Sequence, residues 1–141
     1  VVDKKELHAF LNDIKTGKYT ELNKDIEIVV APAYKIEKEW RCFIVDGKVS
    51  TASQYKNSGR LEISRENIPQ DMIKFAEDMA SIWSPEKIFT LDVCMAKNTF
   101  YIVEAQCSNT SGLYDCDIEK LIKDINEECK YEKKSSRVFR F

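Results

Sequence analysis

Two carboxylates stand where a soluble domain would ordinarily not place them. Asp92 lies inside the apolar run FTLDVCM, a setting in which Asp is disfavoured and costly to bury. Glu104 closes the following run, FYIVE. Whether they meet depends on the turn between the runs. A two-residue turn at Lys97-Asn98 sets them on opposite faces, because side chains alternate along a strand. A three-residue turn, Lys97 to Thr99, pairs Ala96 with Phe100 and Asp92 with Glu104. It also gathers Leu91, Val93, Met95, Tyr101 and Val103 on the other face as one apolar set, so pattern and register agree. Two adjacent carboxylates repel unless a cation or a shared proton neutralises them. Oxygen ligands on a rigid hairpin suit magnesium, which keeps waters and takes other ligands from phosphate. Gln106 and Asn109 offer amide oxygens to complete such a shell. The plainer alternative is that Asp92 caps a backbone group and Glu104 is a surface charge at a strand end.

A second constellation is Glu39, Arg41 and Lys56. Glu39 and Arg41 share one face of a strand, Trp40 and Cys42 take the other, and Lys56 follows the return strand. Arg with its bidentate fork and Lys as a point charge can hold phosphate. The alternative is an exposed cross-strand ion pair of little energetic weight.

The elements that must position these residues read in order. Asp3 and Glu6 open a helix with Leu7, Phe10, Leu11 and Ile14 on one face, and Gly17 ends it. Ile26 to Ala31 is a short β-rich run halted by Pro32. Trp40–Val45, Asp46-Gly47 and Lys48–Tyr55 form a hairpin, and Lys56 to Gly59 reads as a polar loop. Ile68 to Trp83 is the strongest helix, with Pro69 in its first turn and Met72, Ile73, Phe75, Ala76, Met79, Ala80 and Trp83 on its apolar face. The carboxylate hairpin follows, then a small-residue loop from Gln106 to Tyr114. Ile118, Leu121, Ile122 and Ile125 mark a closing helix. No repeat or linker divides the chain. The expected class is α+β with a largely antiparallel sheet and packed helices.

Composition removes other chemistries. The chain has 141 residues, 43% of them hydrophobic and 33% charged, which suits one globular domain. A net charge of −2 gives no overall field for a polyanion, so nucleic acid is not an expected partner. Lys130, Lys133, Lys134, Arg137 and Arg140 make only a locally basic end, read as a solvated tail. Five irregularly spaced cysteines and one histidine, His8, exclude a zinc finger pattern and argue for reduced thiols in a cytoplasmic protein. No apolar run reaches membrane-span length. The phosphate loops GxxxxGK[ST] and GxGxxG and the GxSxG elbow are all missing.

Taken together, EWRCFIVDGKVSTASQY, a helix ending in Trp, FTLDV, FYIVEAQCSNTSGLY and DIEKLIKDI resemble the C-terminal half of ATP-grasp proteins. The nearest likeness is to the bacterial and phage clade named for two arginines and a lysine, from about Ile26 to Asn126. The resemblance implies a lid-region helix and connection over residues 1–25, the C-terminal ATP-grasp subdomain over 26–128 and a basic tail over 129–141. It implies ATP and magnesium as cofactors, and a carboxylate activated as an acylphosphate for attack by an amine or thiol. Asp92 matches the first metal ligand and Glu104 the bridging one. Arg41 and Lys56 match catalytic basic positions near phosphate and substrate, with Glu39 beside them. Val29 to Tyr34, including Val30, Ala31 and Ala33, matches the hinge whose backbone meets the adenine.

Two departures stand out. The family writes E-x-N with Asn on the second metal, and here Gln106 stands there while Asn109 takes a position where relatives often carry Gln. The family's N-terminal subdomain and its phosphate-binding Lys have no counterpart, and the chain begins at Val1. A truncated module that binds nucleotide or packs on a partner without turnover is therefore the alternative to a ligase. On either reading the 141 residues alone are expected to be inactive and to leave apolar surface near the hinge and the Trp40 or Tyr55 hairpin. The expected partners are a nucleotide, an unknown carboxylate substrate, and a missing N-terminal half or a second copy.

Overall fold

A computed structural model describes residues 4–19, 25, 27 and 32–135, with side chains described between 5 and 130. The chain divides into two compact units, Val1–Tyr34 and Lys35–Phe141. The first contains α1, Lys4–Lys15. Gly17, at φ +75°, ends it. Gly17 N–H bonds Ile14 O at 3.1 Å and Lys18 N–H bonds Asp13 O at 3.0 Å, the paired closure that a left-handed residue permits. His8 is exposed on this helix. The expected strand Ile26–Ala31 (Glu27 apart), the cap Asp3, and the hinge residues Val30 and Ala31 lie outside the described residues, whereas Ala33 is exposed in irregular chain.

The second unit is α+β. Its five strands are β1 (Lys38–Val45), β2 (Lys48–Asn57), β3 (Arg60–Ser64), β4 (Ile88–Ala96) and β5 (Thr99–Cys107), all antiparallel in the order β3-β2-β1-β4-β5. Asp46-Gly47 joins β1 to β2 with both residues at positive φ, the twist-matched hairpin turn its sequence announces. Ser58-Gly59 makes the same kind of turn, so Lys56 and Asn57 are strand and the expected polar loop instead leads into β3. The alternation in RLEIS is that of an edge strand, with Leu61 and Ile63 left exposed.

β1 is central and buried along nearly its whole length, because helices cover both faces of the sheet. On one face α2 (Gln70–Ile82) lays Met72, Ala76 and Ala80 against Trp40, Cys42, Ile44, Phe89, Leu91 and Val93. The spacing of those three is one turn apart each time, the stripe of an amphipathic helix. Pro69 stands just outside the helix in extended conformation, and Trp83 lies beyond its end, 63% exposed. Trp83 is thus not part of the apolar face, since the helix stops before it. On the opposite face α3 (Ile118–Ser135) places Leu121 and Ile125 over Phe43, Val45 and Ile88. Asp117 caps it, accepting from Lys120 N–H at 2.9 Å. Ile118 and Ile122 turn to solvent, and the helix runs on past Cys129.

The turn between β4 and β5 is Lys97-Asn98, two residues, both at positive φ. Ala96 pairs with Thr99 and Met95 with Phe100, not Ala96 with Phe100. The apolar partner of Met95 is therefore Phe100, whose ring meets Trp40 at 6.0 Å and Phe75 at 5.8 Å. Val103 is 43% exposed rather than buried. A β-bulge between Asp92 and Val93 then shifts the ladder by one residue, and from there Asp92 faces Glu104. The expected pairing exists, produced by a bulge in place of a longer turn. Trp40 and Tyr55, expected to be left uncovered, are 2% and 5% exposed because α2 and the segment before α3 lie over them.

Candidate functional site

α3 covers only one end of its face. Over the remainder, Glu39 and Arg41 of β1, Tyr55 and Lys56 of β2, Asp92 of β4 and Glu104 of β5 converge. A second bulge, between Glu39 and Trp40, frees Tyr55 from the ladder. Arg41 sits opposite Asp92 in the β1–β4 register. Its Nε donates to Asp92 Oδ1 and its Nη2 to Oδ2, both at 2.8 Å, a bidentate fork with both side chains under a tenth exposed. Such a pair is costly to desolvate, and it holds only because geometry and further hydrogen bonds are good. The Asp92 hydrogen bond keeps the Arg41 guanidinium charged more firmly than usual, against the opposing effect of burial.

Two tyrosines complete the wall. The Tyr55 and Tyr114 rings stack at 4.9 Å and 6°. The Arg41 guanidinium carbon lies 5.1 Å from the Tyr114 centroid and 5.8 Å from that of Tyr55. Tyr55 donates its proton to Glu39 Oε2 at 2.8 Å, and its hydroxyl oxygen lies 3.2 Å from Asp92 Oδ2. Burial, then the Glu39 hydrogen bond, pushes its phenol well above the ordinary range, so it remains a donor. Lys56 Nζ stands 3.3 Å from Glu39 Oε1 and 5.3 Å from the Tyr55 centroid, with its side chain 43% exposed.

The segment 108–117 straps across this face, tied down by polar side chains of three strands. Thr90 and Ser111 share a hydroxyl hydrogen bond at 2.8 Å. Asp117 N–H bonds Thr51 Oγ1 at 2.8 Å, and Gly112 O accepts from Arg41 Nη1 at 3.3 Å. Tyr114 sits at φ +50°, a conformation that costs a bulky side chain about 1 kcal/mol or more. Its stacking on Tyr55 and Arg41 offsets that cost.

The structure brings Glu39, Arg41, Lys56, Asp92 and Glu104 together. Gln106 joins them, its amide donating to Glu104 Oε1. Glu104 is 49% exposed at the open edge, and Arg41 Nη2 lies 4.0 Å from it. Asn109 lies in the short helix Ser108–Thr110 and lines, with Gln106, Pro85, Phe89, Ala105 and Cys107, a recess of about 390 Å³. Sequence reasoning missed Tyr55 and Tyr114 as site residues. Tyr114 is within the SGLY string that carried the family likeness, but nothing in its spacing announces a stacked pair.

For a magnesium ion the donors divide. Glu104, with Gln106 beside it, is an accessible hard-oxygen pair of the kind magnesium takes from a protein. Asp92 as placed does not fit, since both oxygens are held by Arg41. Among the described residues, no three acidic, His or Cys side chains gather closely enough to hold a metal. Burial raises the thiols of Cys42, Cys94 and Cys116, so these three are poor nucleophiles.

Among the described residues no helix is long and apolar enough to cross a membrane. A family model for the ATP-grasp domain, family 3 of the clade named for two arginines and a lysine, matches residues 3–125. Searches of curated proteins and of solved structures found no match. With nearly nine-tenths of its length inside that family model and the α+β fold the family implies, the chain belongs to the ATP-grasp family, in its two-arginine, one-lysine clade.

Proposed function

We propose that the chain is part of an ATP-dependent carboxylate–amine or carboxylate–thiol ligase, binding magnesium–ATP on the face that carries Glu104, Gln106 and Lys56. The family match carries this reading, supported by the β4–β5 hairpin that sets Glu104 near Arg41 with Gln106 beside it, and by Lys56 of β2 beside Glu39. In such a reaction a substrate carboxylate oxygen attacks the γ-phosphorus and ADP leaves. The amine or thiol then attacks the acyl carbon, and phosphate departs. Magnesium, when bound, neutralises phosphate charge and aids the in-line displacement. The chain's own part is positioning. Glu104 and Gln106 turn oxygens toward the cation, and Lys56, the more exposed base, swings from Glu39 to a phosphate oxygen. The Tyr55–Tyr114 wall keeps water from the Arg41 side. Positioning alone is worth several kcal/mol, about 7–11 at most, in phosphoryl transfer of this kind. The five free thiols suit a cytoplasmic setting.

The test is calorimetric titration of the 141-residue chain with a non-hydrolysable ATP analogue, with and without magnesium. Binding that needs magnesium and weakens in Glu104→Gln and Lys56→Met supports the proposal. No binding at millimolar analogue would overturn it. A second reading, nucleotide binding without turnover, is favoured by the commitment of Arg41 to Asp92 and by Gln106 in place of the family's Asn. ADP production by the chain would exclude this second reading.

A further inference from the structure

The space between Asp92 and Glu104 already holds a cation, and it is part of the chain. Arg41 takes both oxygens of Asp92 at 2.8 Å, and its Nη2 lies 4.0 Å from Glu104 Oε1. The two acids face one another across β4 and β5, and like charges so placed require a counter-charge. The guanidinium supplies it. An ionised carboxylate offers about four acceptor positions; Asp92 gives two to Arg41, and a third faces the Tyr55 hydroxyl at 3.2 Å, whose proton goes to Glu39. Asp92 is only 2% exposed, so an arriving ion must first evict Arg41. Arg41 is held in turn by the Gly112 carbonyl and the face of Tyr114. Evicted, it would be a desolvated charge without a partner, which is among the costlier arrangements in a protein. Glu104 has no such engagement. Among the described residues its one close donor is the Gln106 amide, which by rotating presents oxygen instead.

We infer that Arg41 is the resident counter-cation of this site, that Asp92 is its structural partner and not a metal ligand, and that a divalent cation binds at Glu104 and Gln106 alone, one per chain. The last clause rests on the magnesium–nucleotide reading above; the first two do not.

Two measurements on the full chain decide it. The first is thermal unfolding without metal or nucleotide. Asp92→Asn strands Arg41 and lowers Tm by about 10 °C or more. The double variant Arg41→Met with Asp92→Leu, which removes both charges, recovers most of that loss. A carboxylate that merely repels Glu104 while awaiting an ion behaves oppositely, so an unchanged or raised Tm in Asp92→Asn overturns the proposal. So does a double variant that recovers nothing. The second is Mn²⁺ titration followed by electron paramagnetic resonance, with the non-hydrolysable ATP analogue present and each variant held below its own Tm. One Mn²⁺ per chain is expected, weakened at least about tenfold in Glu104→Gln and little changed in Asp92→Asn. Two Mn²⁺ per chain, or an Asp92→Asn loss equal to that of Glu104→Gln, overturns the assignment. Failure of the unaltered chain to bind Mn²⁺ at all would instead remove the one-cation clause together with the nucleotide reading, and the thermal pair would still decide the role of Arg41.

Discussion

Trp40 and Arg41 are neighbours in β1, and both are buried, 2% and 7% exposed, yet opposite kinds of force hold them. Trp40 faces α2 within the apolar cluster, where the stabilisation scales with area removed from water. Arg41 faces the strap, where its place is fixed by two carboxylates, a carbonyl and two rings. The α2 face tolerates shape changes in proportion to volume. The Arg41 face tolerates few changes of charge, whatever their volume. One side of the sheet is built to be stable and the other to be specific about what it accepts.

Perturbations of different kinds should separate the two faces. The largest effect belongs to Trp40→Ala, which opens a cavity beneath α2 and should cost about 3–5 kcal/mol by urea denaturation. If the midpoint hardly moves, the α2 face is not the stabilising side. Tyr55→Phe changes almost no volume, but it takes the proton donor from buried Glu39 and should cost about 1–3 kcal/mol. A negligible cost would mean that Lys56 alone satisfies Glu39.

Alkaline pH probes both faces at once. Burial raises the Cys116 thiol from its ordinary 9.0 to about 11, and raises Cys42 and Tyr55 as well. The folded chain therefore keeps protons that the unfolded chain releases, so stability is fully present below pH 9 and falls as pH rises from 9 toward 11. Urea midpoints at about pH 8 and about pH 10.5 measure the fall, and Cys116→Ala should make it shallower. The smallest effect on stability is expected from Lys56→Met. Its ion pair with Glu39 is partly solvated, so unfolding should shift by no more than about 1 kcal/mol. Nucleotide affinity should fall all the same, and loss of stability without loss of affinity would make Lys56 a strut.

Much of this layout is legible in the sequence. The α2 stripe, the Asp46-Gly47 hairpin and the carboxylate hairpin follow from period, turn residues and alternation. β3 was hidden because its turn, Ser58-Gly59, reads as part of a polar loop, and because an exposed edge strand has little burial to enforce a pattern. The meeting of Asp92 with Glu104 was reached with the wrong turn, since bulges leave no mark in residue type that alternation can detect. The fork between Arg41 and Asp92 is hidden for a related reason. The two residues are distant in sequence, and only the β1–β4 register sets them opposite one another, with Arg41 two strands away from Glu104.

The bulge at the β4–β5 ladder also bears on how this hairpin can change length over generations. Because the correction of phase lies within the strand, the tip at Lys97-Asn98 is free to lengthen by one residue on each arm without turning Glu104 to the other side. A single inserted residue in β5 between Thr99 and Ile102 would reverse the facing of Glu104 and Gln106 unless the bulge were lost in the same event. Paired additions at the tip are thus neutral, single ones are lethal to the site, and a lost bulge rescues a lengthened turn. Gaps in related hairpins therefore belong as readily inside β5 as at the tip.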